Sequence, residues 1–233
     1  MTHPPWTSDA ALHRDAAPVV LVTRADREPY LALAKTLHEE IRRHGIPCAI
    51  DETVYGGYSG QYKRHAIRQA LRLNPGATVY WLDADTKLTN PDLFLSLLLP
   101  RPRGIHAPFT QLLLNHVGWF YRGAVRAFLD RLWFERNIPV GTLWSSDPFR
   151  AFSLPPSDAD RFFAEWDRLT LLLQVANVDV GDGVAVSLAA TAANIPICQS
   201  IPLADVQASV DHFYQQAALA PHPRNWRGTR GAP

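Results

Sequence analysis

Val79-Tyr80-Trp81-Leu82 is apolar at every position and runs straight into Asp83-Ala84-Asp85. A strand with one wet face alternates polar and apolar residues, whereas one covered on both sides reads as an unbroken apolar run. Two earlier segments have the same character: Pro18–Thr23 (PVVLVT) and Pro47–Asp51 (PCAID). Between them, Glu28–Gly45 places Leu31, Ala34, Leu37 and Ile41 at helical spacing and stops at Gly45. Tyr62–Leu73 is a second amphipathic helix, closed by Asn74-Pro75-Gly76. Short apolar strands interleaved with helices predict an α/β fold: a mixed, mostly parallel Rossmann-like sheet with helices on both faces. Its ligands are expected at the carboxyl ends of the strands.

Beyond Pro91 the pattern is mixed. It predicts a short helix over Asp92–Leu99, strands near Ile105–Phe109 and Val117–Tyr121, and helices over Val125–Phe134, Asp158–Leu173 and Val184–Ala193. Residues 1–17 and 220–233 lack periodicity and read as tails of one domain spanning 1–233. With 233 residues, 47% of them hydrophobic, the chain suits a single sizeable core.

The formal net charge of +1 lacks the strongly basic footprint of a general nucleic-acid binder. No long apolar span or signal-like start is visible, so a cytoplasmic location is the expectation. Cys48 and Cys198 sit far apart in apolar contexts and read as buried thiols rather than a disulfide or a metal pair. The histidines show no zinc spacing, and His38, His44 and His65 read as surface or packing residues. Most tryptophans, among them Trp81, Trp119, Trp133 and Trp166, fall on apolar faces.

Asp83 and Asp85 place two acids side by side where a buried strand opens into a loop. Like charges held together call for a cation, and Mg²⁺ or Mn²⁺ shares one or two carboxylates with substrate phosphates. The competing reading makes both residues ordinary loop formers.

This D-x-D after an apolar strand resembles the motif of the GT-A glycosyltransferases, and the likeness spreads over most of residues 18–215. The resemblance implies a nucleotide-diphosphate sugar donor, a UDP-sugar favoured, and a divalent metal, Mn²⁺ or Mg²⁺, on Asp83 and Asp85. Lys63 opens a helix similar to the one preceding the D-x-D strand in that family and is expected near the nucleotide. Asn115-His116-Val117-Gly118 is similar to the family's central element of Asn, Gly, apolar strand and helix, which suggests an acceptor role for Asn115. Asp179–Ala189 looks like the acidic segment opening a late helix, with Asp182 facing sugar or acceptor. Val210-Asp211-His212 is similar to a terminal element that completes the metal site, so His212 is a third expected ligand.

At the donor end, Thr23 and Arg24 are expected to meet the nucleoside, with Arg24 or Lys63 supplying charge-assisted bonds and Asp51 a base or ribose contact. The alternatives are an ion pair for Arg24 and a turn role for Asp51. Tyr55, Tyr58 and Tyr62 flank the Gly-rich stretch 56–60, and one of them is expected to stack on the donor. Trp144 is a candidate acceptor contact. Asp182 acts as general base if configuration inverts, orients the donor if it is retained, or caps its helix in the structural alternative. The rival functions are a metal-dependent sugar nucleotidyltransferase and a non-catalytic nucleotide- or glycan-binding module. The acceptor is open: a glycan, lipid-linked glycan, protein, small molecule or modified DNA base.

Overall fold

The computed structural model describes residues 19–25, 28, 30–53, 62–146 and 149–212, with His212 represented by its backbone. The stretches read as tails, and Tyr55, Tyr58 and residues 56–60, lie outside them. The first elements follow the expected order: β1 (Val19–Arg24), α1 (Tyr30–Arg43), β2 (Cys48–Asp51), α2 (Lys63–Leu73) and β3 (Thr78–Leu82). In α1 the buried residues are Ala34, Leu37 and Ile41, the apolar stripe of the sequence. Gly45 ends it at φ +73°, a left-handed position that glycine takes without cost.

β4 (Thr86–Leu88), α3 (Pro91–Leu97), β5 (Gly104–Ala107), β6 (Thr110–Leu112), α4 (Leu113–Phe120), α5 (Gly123–Glu135) and β7 (Leu143–Ser145) come next. β8 (Phe149–Ser153), α6 (Pro156–Val175), α7 (Asp182–Ala192), β9 (Ile197–Gln199), α8 (Leu203–Ser209) and β10 (Val210–His212) complete the described chain. The main sheet has six strands in the order β2-β1-β3-β8-β5-β9. β1 is parallel to β2 and β3, and β5 is parallel to β9. β8 runs antiparallel to both of its neighbours, β3 and β5. The fold is thus mixed α/β with a mostly parallel central sheet, as the sequence predicts.

Side chains alternate across this sheet. Val20, Val22, Val79, Trp81 and Phe152 join a core with residues of α2, α6 and α7. Val19, Leu21, Tyr80, Leu82, Phe149 and Ala151 join another with residues of α1, α3 and α8. Both faces are therefore covered, and each fully buried large apolar side chain contributes about 1.5–3 kcal/mol. Cys48 is buried and Cys198 half-buried, both as free thiols.

Two expectations fail. Val117–Tyr121 is not a strand: most of it belongs to helix α4, whose buried residues Leu113, His116 and Val117 recur at helical spacing. Trp119 and Phe120 on its outer side are 66% and 63% exposed, so the run mimicked a two-sided strand, and Trp119 is not on a buried face. Conversely, β8 sits at the sheet's centre where the sequence shows Phe149-Arg150-Ala151-Phe152-Ser153. A charge inside a central strand conceals it. Arg150 is nonetheless 1% exposed, and its environment is the key to the site.

Candidate active site

β3 delivers Asp83 to the carboxyl end of the sheet, beside the first residue of α2. The Lys63 ammonium lies 2.7 Å from Asp83 Oδ1, and the Trp81 indole N–H donates to the same oxygen at 2.8 Å. Lys63 Nζ also stands 5.2 Å from the Trp81 ring centroid, within cation–π range.

Asp182 opens α7, where a carboxylate is favoured by the helix dipole. Gly181 holds the N-cap position, so Asp182 is the first residue of the helix rather than its cap. Asp182 Oδ2 instead meets Arg150 Nη1 at 2.7 Å and Lys63 Nζ at 3.5 Å. Arg150 donates through Nη2 to the Ser145 carbonyl at 3.2 Å. Two carboxylates and two cations thus alternate as Asp83, Lys63, Asp182, Arg150, drawn from β3, α2, α7 and β8. All four side chains are nearly buried, and such charges repay their desolvation only when paired this closely.

Asp85 is half-buried in the turn between β3 and β4, which the Thr86 N–H closes by donating to the Asp83 carbonyl at 3.1 Å. β4 then pairs antiparallel with β10, in a register that sets His212 opposite Thr86. The backbone therefore brings the expected third ligand next to the turn that carries Asp85. Among the described side chains, no group of three or more His, Cys, Asp or Glu is gathered for a metal.

The expected nucleoside residues form a second group. Thr23 and Arg24 end β1, and Arg24 is in register with Asp51 at the end of β2. Arg24 Nε lies 3.9 Å from Asp51 Oδ2, Nη2 donates to the Thr53 carbonyl at 3.3 Å, and the guanidinium stands 5.4 Å from the Tyr62 ring centroid. Asp51 also accepts from the Thr53 N–H at 3.0 Å, so it serves a turn and a charge contact together. The Thr23 hydroxyl is fully buried, with no hydrogen-bond partner among the described residues.

The two residues expected to meet the acceptor part company. Asn115 is exposed on α4, since its neighbours His116 and Val117 take the buried positions of that helix. Trp144 is buried and stacks on His116, with ring centroids 4.1 Å apart and planes inclined by 11°. Burial lowers the His116 pKa to about 4, so the ring is neutral at physiological pH.

Sequence reasoning missed Arg150 and His116. The signal for Arg150 was present: a single charge flanked by Phe149, Ala151 and Phe152 reads as a strand if the charge has a buried partner. A cavity of about 350 Å³ opens elsewhere, between α5 and the end of α6, lined by Phe128, Leu132, Arg136 and Leu172 among others.

No protein-family model matches this chain, and no curated protein does. One solved structure with similarity is that of a glycosyltransferase involved in the glycosylation of the major capsid of PBCV-1. It shares 18% sequence identity and a TM-score of 0.33 over 39% of this chain and 51% of that one. This chain thus aligns with about half the length of that structure. No described helix is long and apolar enough to cross a membrane.

Proposed function

We propose that the chain is a metal-dependent glycosyltransferase of the GT-A type, moving a sugar from a nucleotide-diphosphate donor, most favourably a UDP-sugar, to a hydroxyl acceptor. The observation that carries this reading is the convergence of Asp83 and Asp182 on the Lys63 ammonium at the strand ends, with Asp85 in the adjoining turn. Asp83 and Asp85 supply hard oxygen donors, and two carboxylates suit Mn²⁺ or Mg²⁺ when a diphosphate completes the coordination. His212, opposite Thr86 in the β4–β10 ladder, is the third candidate ligand. The donor set therefore fits a cation shared with substrate better than a closed protein cage. A bound divalent ion supplies Lewis-acid neutralisation of the diphosphate leaving group.

The remaining work falls to side chains of the chain itself. Arg24, Asp51, Thr23 and Tyr62 form the nucleoside end, where Arg24 and Asp51 offer charge-assisted bonds to a base or ribose edge and Tyr62 an aromatic face. Lys63 adds positive charge beside the diphosphate. Both cations that hold Asp182 meet Oδ2, which leaves Oδ1 for the transferred sugar or the acceptor hydroxyl. Trp144 and Asn115 are assigned to the acceptor side. The test is thermal shift with UDP-, GDP- and CMP-sugars, with and without MnCl₂. A UDP-sugar should raise the melting temperature only with Mn²⁺, and Asp85→Ala should remove that dependence. Retained Mn²⁺-dependent binding in the variant would overturn the metal assignment.

A further inference from the structure

Six large apolar side chains among the described residues are at least 60% exposed, and they are not scattered over the surface. Trp119 and Phe120 end α4, Phe134 is in the last turn of α5, Val140 lies between α5 and β7, and Leu171 and Val175 are at the end of α6. Phe134 and Val175 protrude furthest, at 84% and 79% exposed. An isolated exposed apolar residue needs no explanation, whereas a cluster marks an interaction surface.

The three helices adjoin one another. Only Tyr121 and Arg122 separate α4 from α5. The cavity of about 350 Å³ between α5 and the end of α6 has Phe128 and Leu132 on one wall and Leu172 and Val175 on the other. The Tyr121 hydroxyl accepts from the Gly181 N–H at 2.9 Å, which ties the end of α4 to the segment after α6, one residue before Asp182.

Charge around these side chains is one-sided. Both acids of α5 are taken up within the helix, Asp130 by Arg126 and Glu135 by Arg131. Arg122 and Arg136, which flank α5, are exposed and have no carboxylate partner among the described residues; Arg122 donates to the main-chain carbonyls of Gly118 and Tyr121. Arg136 lines the cavity. The end of α6 carries no charge from Leu169 to Val175.

Protruding apolar side chains beside uncompensated arginines fit a partner that is anionic at its surface and apolar beneath. A bilayer containing acidic lipids has that layering: Trp, Phe and aliphatic side chains enter the boundary between headgroups and acyl chains, and Arg stays with the phosphates. A folded partner would need matching recesses for Phe134 and Val175, whereas lipid adapts to them.

We propose that the ends of α4, α5 and α6 form a peripheral docking surface for an anionic lipid bilayer, with Trp119, Phe120, Phe134 and Val175 as anchors and Arg122 and Arg136 against lipid phosphates. The contact is peripheral, because no described helix is long and apolar enough to cross a membrane. Through Tyr121 and Gly181 the surface adjoins the Asp182 cluster, so docking brings that cluster close to the lipid. The docking surface does not rest on the glycosyltransferase reading.

The test is cosedimentation of the full chain with vesicles of phosphatidylcholine alone and of equal parts phosphatidylcholine and phosphatidylglycerol. The chain should pellet with the mixed vesicles and far less with the neutral ones, and high salt should weaken binding. Phe134→Ser and Val175→Ser should each lower the partition coefficient about tenfold. Arg122→Gln and Arg136→Gln should each lower it about fivefold and together remove the preference for phosphatidylglycerol. Leu99→Ser, at an exposed apolar residue outside the region, should leave binding unchanged. Melting temperatures equal to the parent's separate lost docking from lost folding. The proposal is overturned by absent vesicle binding, by equal binding to both vesicles, or by a loss in Leu99→Ser as large as in Phe134→Ser. It is also overturned if the parent ignores vesicles and forms a dimer in sedimentation velocity that Phe134→Ser dissociates, which gives the surface to a second copy.

Discussion

Lys63 and Arg64 are neighbours at the start of α2, yet they serve two different ion clusters. Lys63 turns to the sheet end and bridges Asp83 and Asp182, where no side chain is more than 14% exposed. Arg64 turns to α6 and, with Arg68, holds Asp167, whose side chain is 42% exposed. The second cluster pins one helix to another through a carboxylate in contact with water, although Arg64 itself is only 10% exposed. The first is dry, drawn from four elements at the carboxyl end of β3, and losing a partner strands a charge. Similar pairings thus have different consequences because water reaches the carboxylate of one and not those of the other.

Arg150→Met gives the largest separation. It removes the closer cation from Asp182 and should cost about 3–5 kcal/mol in urea unfolding, the range for breaking a buried pair. A change below about 1 kcal/mol would place this cluster in the same class as the surface one and end the contrast.

The stacked His116 and Trp144 rings provide an intermediate effect. His116 has its pKa lowered by burial to about 4, so between about pH 6.5 and 4 the unfolded chain binds a proton that the folded chain does not. Stability is therefore intact above pH 6.5 and declines as pH falls to 4, by on the order of 2 kcal/mol from this residue. Burial lowers the pKa values of His65 and His106 as well, which adds in the same direction. His116→Phe should flatten part of the slope in urea midpoints measured from pH 7 to pH 5, and an unchanged slope would show that His116 is not its source.

The smallest effect is expected at Asp167→Asn, about 0.2–1 kcal/mol at pH 7. Burial pushes the Asp167 pKa up, but hydrogen bonds from Arg68 and Arg64 outweigh it and hold the carboxyl below its ordinary value. Its contribution is thus present above about pH 3.8 and fades on acidification below that. A loss as large as that of Arg150→Met would show that solvent exposure is not what separates the clusters.

The half of the fold that was legible is the half whose strands keep their charges at the ends. β1 and β2 carry no charge until they finish at Arg24 and Asp51, β3 is apolar from Val79 to Leu82, and the helices between them keep a clean 3.6-residue stripe. β8 occupies an equally buried place but interrupts its apolar run with Arg150, and only the distant Asp182 makes that tolerable. Periodicity cannot report a partner on another element. α4 failed for the opposite reason: Trp119 and Phe120 are apolar but outward, so the helix lost its polar face. Asp83, Lys63 and Asp182 were each recognisable in sequence, whereas their convergence on one ammonium is a property of the packing. The β4 and β10 strands are too short to carry a periodic signal at all.

The pairing of β10 with β4 has a consequence for how the molecule is made. The turn holding Asp85 leads into a ribbon whose second strand is almost the last part of the described chain. On a ribosome, the three leading strands can begin to associate early, but the ribbon must wait until His212 has emerged. A nascent chain stalled before that residue should have its first parallel strands available and its Asp85 turn unclasped, so the ribbon closes after the leading strands rather than with them.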